Sequence, residues 1–245
     1  MTLEKVNSWE EATKKSEFGY ADKEILQFDY DEFVEHKNKN EKNIKYEKRH
    51  YYDILFYMLK TILQLKKEEI SILDFGGGFG TVFFDLNYYL KSLDIKINWI
   101  IIEQEKIVEW CKKECNESGI IFKKRLEDIG QEVDFALFGS CIQYLENYKD
   151  IIKTVIALNP KRIALLKTPV SDETFVNVQH VNNRGNYNHY IANYACRVVA
   201  EDELISLFLN GYKLEDSTED LFNSVNNNLD GHIVKWKDFF FEKID

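Results

Sequence analysis

The sequence predicts an α/β fold with a mostly parallel sheet, and three observations predict it. First, the apolar run Ile70-Ser71-Ile72-Leu73 ends in Asp74 and passes at once into Phe75-Gly76-Gly77-Gly78-Phe79-Gly80, so four of the 11 glycines fall in five positions. Glycine tolerates positive φ and lets backbone approach a ligand closely. Val82, Phe83, Leu86, Tyr89 and Leu90 then recur at helical spacing, which makes strand, tight glycine turn and helix, the first unit of a nucleotide-binding sheet. Second, short apolar strands alternate with helices as far as residue 166, the pattern of a parallel sheet covered on both faces. Third, Tyr212 to Leu214 and Ile233 to Phe241 read as a closing antiparallel pair. Together these describe a Rossmann-like sheet with an antiparallel last strand, preceded by an N-terminal helical extension.

Residues 1–69 read as that extension, with the sheet domain at 70–245. Ser8 and Glu11 fit a capping box, and Trp9 and Ala12 lie in the first turn of the helix it opens. A turn at Gly19 follows, then Ile25, Phe28 and Phe33 as scattered apolar anchors, and a polar, mildly basic stretch from His36 to Arg49. Tyr51, Ile54, Leu55, Met58, Leu59, Ile62, Leu63 and Leu65 make a strongly amphipathic helix. After the glycine turn, strands are expected at Ile97–Ile102, Ile120–Phe122, Val133–Phe138 and Arg162–Leu166. Helices are expected over 104–117, 148–158 and 201–209. Residues 168–199, rich in Asn, His, Tyr and Val, have no clean period and read as a substrate insertion.

Composition narrows the function. Lys and Arg total 32 against 42 Asp and Glu, a net charge of −10, which argues against a nucleic-acid partner. Cys111, Cys115, Cys141 and Cys196 make no disulfide framework in a chain of this size, and no His/Cys pair has zinc spacing. The polar start, Met1 to Glu11, is no signal peptide, and no run of about 18 apolar residues spans a membrane. The expectation is a cytoplasmic protein acting on a small molecule, with residues 1–69 open between a lid and a homodimer contact.

Ligands of open α/β sheets bind beyond the carboxyl ends of the strands. There the sequence places Asp74 with Gly76, Gly77 and Gly78, Glu103 with Gln104, Leu126 with Glu127, and Gly139 with Ser140. Glu103 closes the second strand, where an acid can accept two hydrogen bonds from a ribose. No lysine precedes Thr81, so the phosphate cradle of a nucleoside triphosphate site is missing. Asp74 just ahead of the turn repels a pyrophosphate but suits the ammonium of a methionine moiety. That favours S-adenosylmethionine over a dinucleotide.

These residues resemble class I S-adenosylmethionine-dependent methyltransferases. Leu73-Asp74-Phe75-Gly76-Gly77-Gly78-Phe79-Gly80 resembles their first motif, Glu103 their ribose-binding acid and Asp134-Phe-Ala-Leu-Phe-Gly-Ser140 their fourth. More narrowly, the chain is similar to methyltransferases encoded with bacterial capsule and surface-polysaccharide genes. That similarity rests on Trp9 to Gly19-Tyr20, Glu103-Gln104, Ser140-Cys-Ile-Gln-Tyr-Leu145, Thr168-Pro169 and the Asp172 to Gln179 segment. It implies a transferase that O-methylates a sugar or other glycan precursor. Trp9 and Tyr20, which precede the sheet, read as a lid over the cofactor or as aromatic core contacts. Leu126 stands where many relatives carry an adenine-binding acid.

For the chemistry, His180 and His189 are the candidate bases, because histidine titrates near neutrality, with His180 preferred. Gln143 and Tyr144 are expected to orient the acceptor, and Lys167, Arg184 and His189 to bind it, with Arg197 as a further anion ligand. The rivals are a nicotinamide-dependent oxidoreductase on a similar sheet and a non-catalytic scaffold of the same fold.

Overall fold

In a computed structural model the described residues are 2–16, 26–27, 29–31, 33–35, 52–114, 119–182, 191–219, 228–229 and 231–244. The parallel strands are β2 (Glu69–Phe75), β3 (Lys96–Ile102), β4 (Ile120–Lys123), β5 (Phe135–Gly139) and β6 (Arg162–Ser171), in the spatial order β4-β3-β2-β5-β6. β12 (Lys235–Lys243) lies antiparallel between β6 and β9 (Tyr212–Glu219), so the antiparallel last strand of the sequence reading is present. The chain winds outward from β2 through β3 to β4, then returns to β5 on the other side. The switch point therefore lies between the carboxyl ends of β2 and β5.

Side chains alternate across each strand and build two apolar layers. Ile70 and Ile72 of β2 pack with Trp99, Phe135 and Leu137 under helix α2 (Tyr52–Leu65) and helix α3 (Thr81–Leu90). Leu73 packs with Ala136, Phe138 and Leu165 on the other face, against α4 (Tyr148–Ala157) and α5 (Glu201–Ser206). β12 serves both layers, since Phe239 and Phe241 enter the second and Phe240 the first, where it stacks on Tyr57 at 4.1 Å. Among the described residues no helix is long and apolar enough to cross a membrane.

The N-terminal segment departs from the helical expectation at its start. Thr2–Val6 forms an edge strand, β1, antiparallel to β7 (Phe175–Asn182). Its alternation is weak because most of it is exposed, and backbone pairing rather than apolar burial holds it. Helix α1 (Trp9–Lys15) begins as expected, with Ser8 Oγ accepting the Glu11 N–H at 3.1 Å. Ala12 of α1 and Val6 then cover Val178 of β7. The insertion is ordered as well: β7 and β8 (Ile191–Ala200) form an antiparallel pair, and β8 joins the edge of β6 at Val170 and Ser171. Its period was unreadable because both faces of β7 are covered, with Val178, Asn177 and Gln179 all buried. Lys167 sits at a bulge of β6 with φ 47°, and its N–H donates to Asp238 Oδ1 at 2.7 Å. The bulge separates the half of β6 that pairs with β5 from the half that pairs with β8. Residues β10 (Asn228–Leu229) and β11 (His232–Ile233) make a short separate ribbon.

Arg162 opens β6 and is 1% exposed. Its guanidinium donates to Glu215 at 2.8 Å, Glu242 at 2.7 Å, Gln64 at 2.6 Å and the Thr61 hydroxyl at 3.1 Å. Lys60 pairs with Glu215 and Lys213 with Glu242, so each carboxylate in the group meets two cations. This cluster ties α2 to β6, β9 and β12.

Candidate functional site

A cavity of about 810 Å³ opens at the switch point. Asp74 and the turn from Gly76 to Gly78 form its base. Glu103 and Gln104 approach from the end of β3, and Gly139, Ser140 and Cys141 from the end of β5. Tyr144, in the 3₁₀ turn Ile142–Tyr144, closes one side. Leu26, Asp29, Phe33 and Glu35, from the described helical residues 26–27, 29–31 and 33–35, line it as well.

The turn needs glycine for closeness. Gly76 has φ 73°, and a Cβ there would lie 2.7 Å from Cys141 Cβ; at Gly77 it would lie 2.5 Å from the Asp74 carboxylate. The backbone thus wraps directly around that acid.

Asp74 is fully buried. Its Oδ2 accepts the Trp99 indole N–H at 3.2 Å, while Oδ1 has no hydrogen-bond partner. Burial pushes the carboxyl up to about 7, with the Trp99 bond opposing and the Glu103 charge adding to the rise. Buried polar atoms in folded proteins are nearly always paired, so an unpartnered buried carboxylate oxygen on a residue that lines the cavity fits a donor from a ligand. Glu103 accepts the Gly78 N–H at 3.2 Å and the Gln104 N–H at 2.7 Å. Burial raises its carboxyl and these two bonds lower it, with a net rise. Burial and the charges of Glu103 and Asp74 push the Cys141 thiol well up, which leaves it a poor nucleophile.

The lining is acidic. Asp29, Glu35, Asp74 and Glu103 contribute carboxylates, whereas the lining Lys124 is already paired with Glu105 and Glu109. A cationic ligand group fits this lining, and a pyrophosphate does not.

The structure brings Asp74, Gly76, Gly77, Gly78, Glu103, Gln104, Gly139, Ser140 and Tyr144 together around one cavity. It places the other candidates elsewhere. Leu126 is buried in the second apolar layer and Glu127 is exposed; neither lines the cavity. Gln143 is fully buried behind the wall, and its Nε2 donates to the Ser140 carbonyl and hydroxyl, both at 3.0 Å. It therefore holds Ser140, which has φ 57°, rather than facing the cavity. His180 lies on β7, outside the lining, with Nδ1 at 2.7 Å from Asn193 Oδ1 and Nε2 at 3.2 Å from Glu4 Oε2. Lys167 is also outside the lining. Arg197 is enclosed by the Trp9 and Tyr148 rings, at 4.7 and 4.9 Å, and donates to the carbonyls of Leu145 and Glu146. Trp9 is thereby a partner of Arg197 and not a cover over the cavity. Tyr20, Arg184 and His189 fall outside the described residues. Among the described residues no cluster could hold a metal ion.

Sequence reasoning missed the aromatic cover. Phe33 stacks on Phe79 of the glycine turn at 5.8 Å and meets Phe84 edge-on at 5.2 Å; Tyr30 meets Phe79 at 5.5 Å. The signal was Phe79 itself, a large apolar side chain inside a glycine turn that must pack on something. Trp99 was also missed, because a tryptophan in an apolar strand reads as core.

No known family profile matches the chain, and no curated protein matches it. Solved structures do. An S-adenosylmethionine-dependent methyltransferase from Clostridium acetobutylicum is similar over 88% of this chain and 99% of its own, with a TM-score of 0.53 and 10% identity. DesVI from Streptomyces venezuelae is similar over 88% of this chain and 97% of its own, with a TM-score of 0.50 and 13% identity. The sheet order, the antiparallel last strand and these likenesses define the Rossmann-like class I methyltransferase fold.

Proposed function

We propose that the chain is an S-adenosylmethionine-dependent methyltransferase acting on a small molecule. The observation that carries this reading is the Asp74 Oδ1 atom, buried and unpartnered at the cavity base, where an α-ammonium supplies the missing donor. Glu103, across the glycine turn, is the acceptor for a ribose diol, and the acidic lining disfavours a dinucleotide.

When bound, S-adenosylmethionine supplies an electrophilic methyl group on a sulfonium. The chain's own task is alignment and exclusion of water. Asp74, Gly76, Gly77 and Gly78 hold the amino-acid end, Glu103 and Gln104 the ribose, and the cover of Leu26 and Phe33 shuts out solvent. Tyr144, whose hydroxyl donates to Gln179 Oε1 at 2.9 Å, orients the acceptor against this site. Among the described residues no histidine lines the cavity, so the placement of His180 gives no support to its role as base.

The finer reading is that the acceptor is a hydroxyl on a sugar or other precursor of a bacterial surface polysaccharide. It is supported by the resemblance of Ser140 to Leu145 and of the Thr168 to Gln179 region, not by geometry.

Calorimetric titration tests the reading. S-adenosylhomocysteine is expected to bind and NAD to give no heat. Binding of NAD alone indicates the oxidoreductase, and binding of neither the scaffold. Glu103→Ala is expected to weaken S-adenosylhomocysteine by about 1–3 kcal/mol, and an unchanged affinity removes Glu103 from the site.

A further inference from the structure

The Asp74 carboxylate is held in one orientation from outside the cavity. Ile72 and Asp74 share a face of β2, and Trp99 of β3 stands opposite Ile72 in the parallel register. The Trp99 indole lies on that face, fully buried, with the Phe83 ring of α3 edge-on at 5.5 Å. Clamped between sheet and helix, its N–H reaches diagonally forward to Asp74 Oδ2 at 3.2 Å. The two carboxylate oxygens are thus divided. Oδ2 takes the indole N–H from β3 and Oδ1 takes none; a Cβ on Gly77 would lie 2.5 Å from Oδ2 and 2.9 Å from Oδ1, so both oxygens lie against the glycine turn, and a Cβ on Gly139 of β5 would lie 4.0 Å from Oδ1. The oxygen that Trp99 leaves without a partner therefore belongs to a residue that lines the cavity together with Gly76 to Gly78 and Gly139.

We infer that Trp99 is a positioning residue for cofactor binding: its indole N–H fixes the Asp74 carboxylate so that Oδ1 is presented to the ammonium of the ligand. Trp99 touches no ligand itself. Besides orienting Asp74, the donor favours its ionised form against burial and against the charge of Glu103, the other carboxylate facing it; Cys141 approaches from the β5 side. A phenylalanine in the same place keeps an aromatic ring beside Phe83 at some cost in packing and gives no N–H.

This inference rests on the proposed reading of the Asp74 site. The test compares wild type with Trp99→Phe by S-adenosylhomocysteine calorimetry between pH 6 and 8.5, with thermal denaturation alongside. The expected result is a roughly tenfold weaker affinity at pH 6.5 that narrows above pH 8, since one unit of pKa displacement is about a tenfold change in the ionised fraction below the midpoint. Titration of the Asp74 carboxyl by ¹³C NMR in the ligand-free proteins is expected to show a higher midpoint in the variant. Superimposable pH profiles and midpoints, with only a lower Tm in the variant, overturn the inference and make Trp99 a packing residue. Should Trp99→Phe not fold, Trp99→Met removes the same N–H with an adaptable side chain and is read in the same way. Absence of heat in wild type overturns the ammonium site itself, while the ligand-free NMR midpoint still reports separately on the Trp99 bond.

Discussion

Arg162 opens β6 and Asp74 stands one residue before the end of β2; both are buried, both face the layer beneath α2 and α3, and they differ in what meets their charge. Every nitrogen of the Arg162 guanidinium has an acceptor, and Lys60 and Lys213 complete the neutralisation. Asp74 has one indole donor and an orphaned oxygen. The first arrangement holds elements together and has no place for a ligand. The second costs stability in the ligand-free protein, and in the proposed reading a bound cation relieves it. The same degree of burial thus goes with a full set of partners in one place and with an orphaned oxygen on a cavity residue in the other, the difference on which the proposed ammonium site rests.

The largest expected effect breaks the structural side. Arg162→Met leaves Glu215 and Glu242 buried without their shared partner and is expected to cost about 3–5 kcal/mol in a denaturant titration. Where the variant remains folded, S-adenosylhomocysteine affinity is expected to be unchanged.

Asp74→Asn acts in the opposite sense. Cofactor affinity is expected to fall by roughly 2–4 kcal/mol, because the ammonium loses its counter-charge. The ligand-free protein is expected to gain stability at pH 8. The sign follows from linkage. With the folded carboxyl at about 7 and an unfolded value near 3.8, the folded state binds the extra proton between those limits. Wild-type stability therefore falls as pH rises from about 4 to 7, and the variant lacks this slope. Glu242 shows the reverse. Burial raises its carboxyl, but Lys213, Gln64 and Arg162 outweigh that and bring it down to about 2. Its contribution is present above about 4.5 and lost as pH falls toward 2. Thermal melts across pH 2–8 separate the two carboxylates by the direction of their slopes.

The smallest expected effect concerns strain beside the site. Lys167→Gly relieves a positive φ at the β6 bulge and is expected to be neutral or stabilising by up to about 1 kcal/mol in denaturant titration. Cofactor affinity should not move, since Lys167 does not line the cavity.

The base of the cavity was legible because it depends on local chemistry. The glycine turn, Asp74 and Glu103 are spaced by strand and helix lengths, and the parallel order of β2 to β6 follows from apolar runs separated by helical periods. What failed to show in the sequence depends on contacts across the sheet. Thr2–Val6 is a strand only because β7 offers it an edge. Asn177 and Gln179 are polar yet buried, so alternation gives no warning of β7. Gln143 follows Ser140 and looks like a wall residue, but the 3₁₀ turn rotates it behind that wall. Trp99 reads as core, and only the register of β2 against β3 shows that its N–H meets Asp74.

The position of β12 has a consequence for biosynthesis. Residues 235–243 insert between β6 and β9, and their three consecutive phenylalanines reach both apolar layers, with Phe241 stacked on Phe208 at 4.0 Å. Until the ribosome has released this segment, β6 presents an unpaired edge, and Tyr57 and Phe208 lack their stacking partners. The nascent chain therefore carries an open sheet from the synthesis of β6 until residues 235–243 emerge, a state prone to strand-to-strand aggregation. Synthesis that stops before Lys235 leaves the cofactor turn and its acids in the chain but removes the strand that closes both layers beneath them.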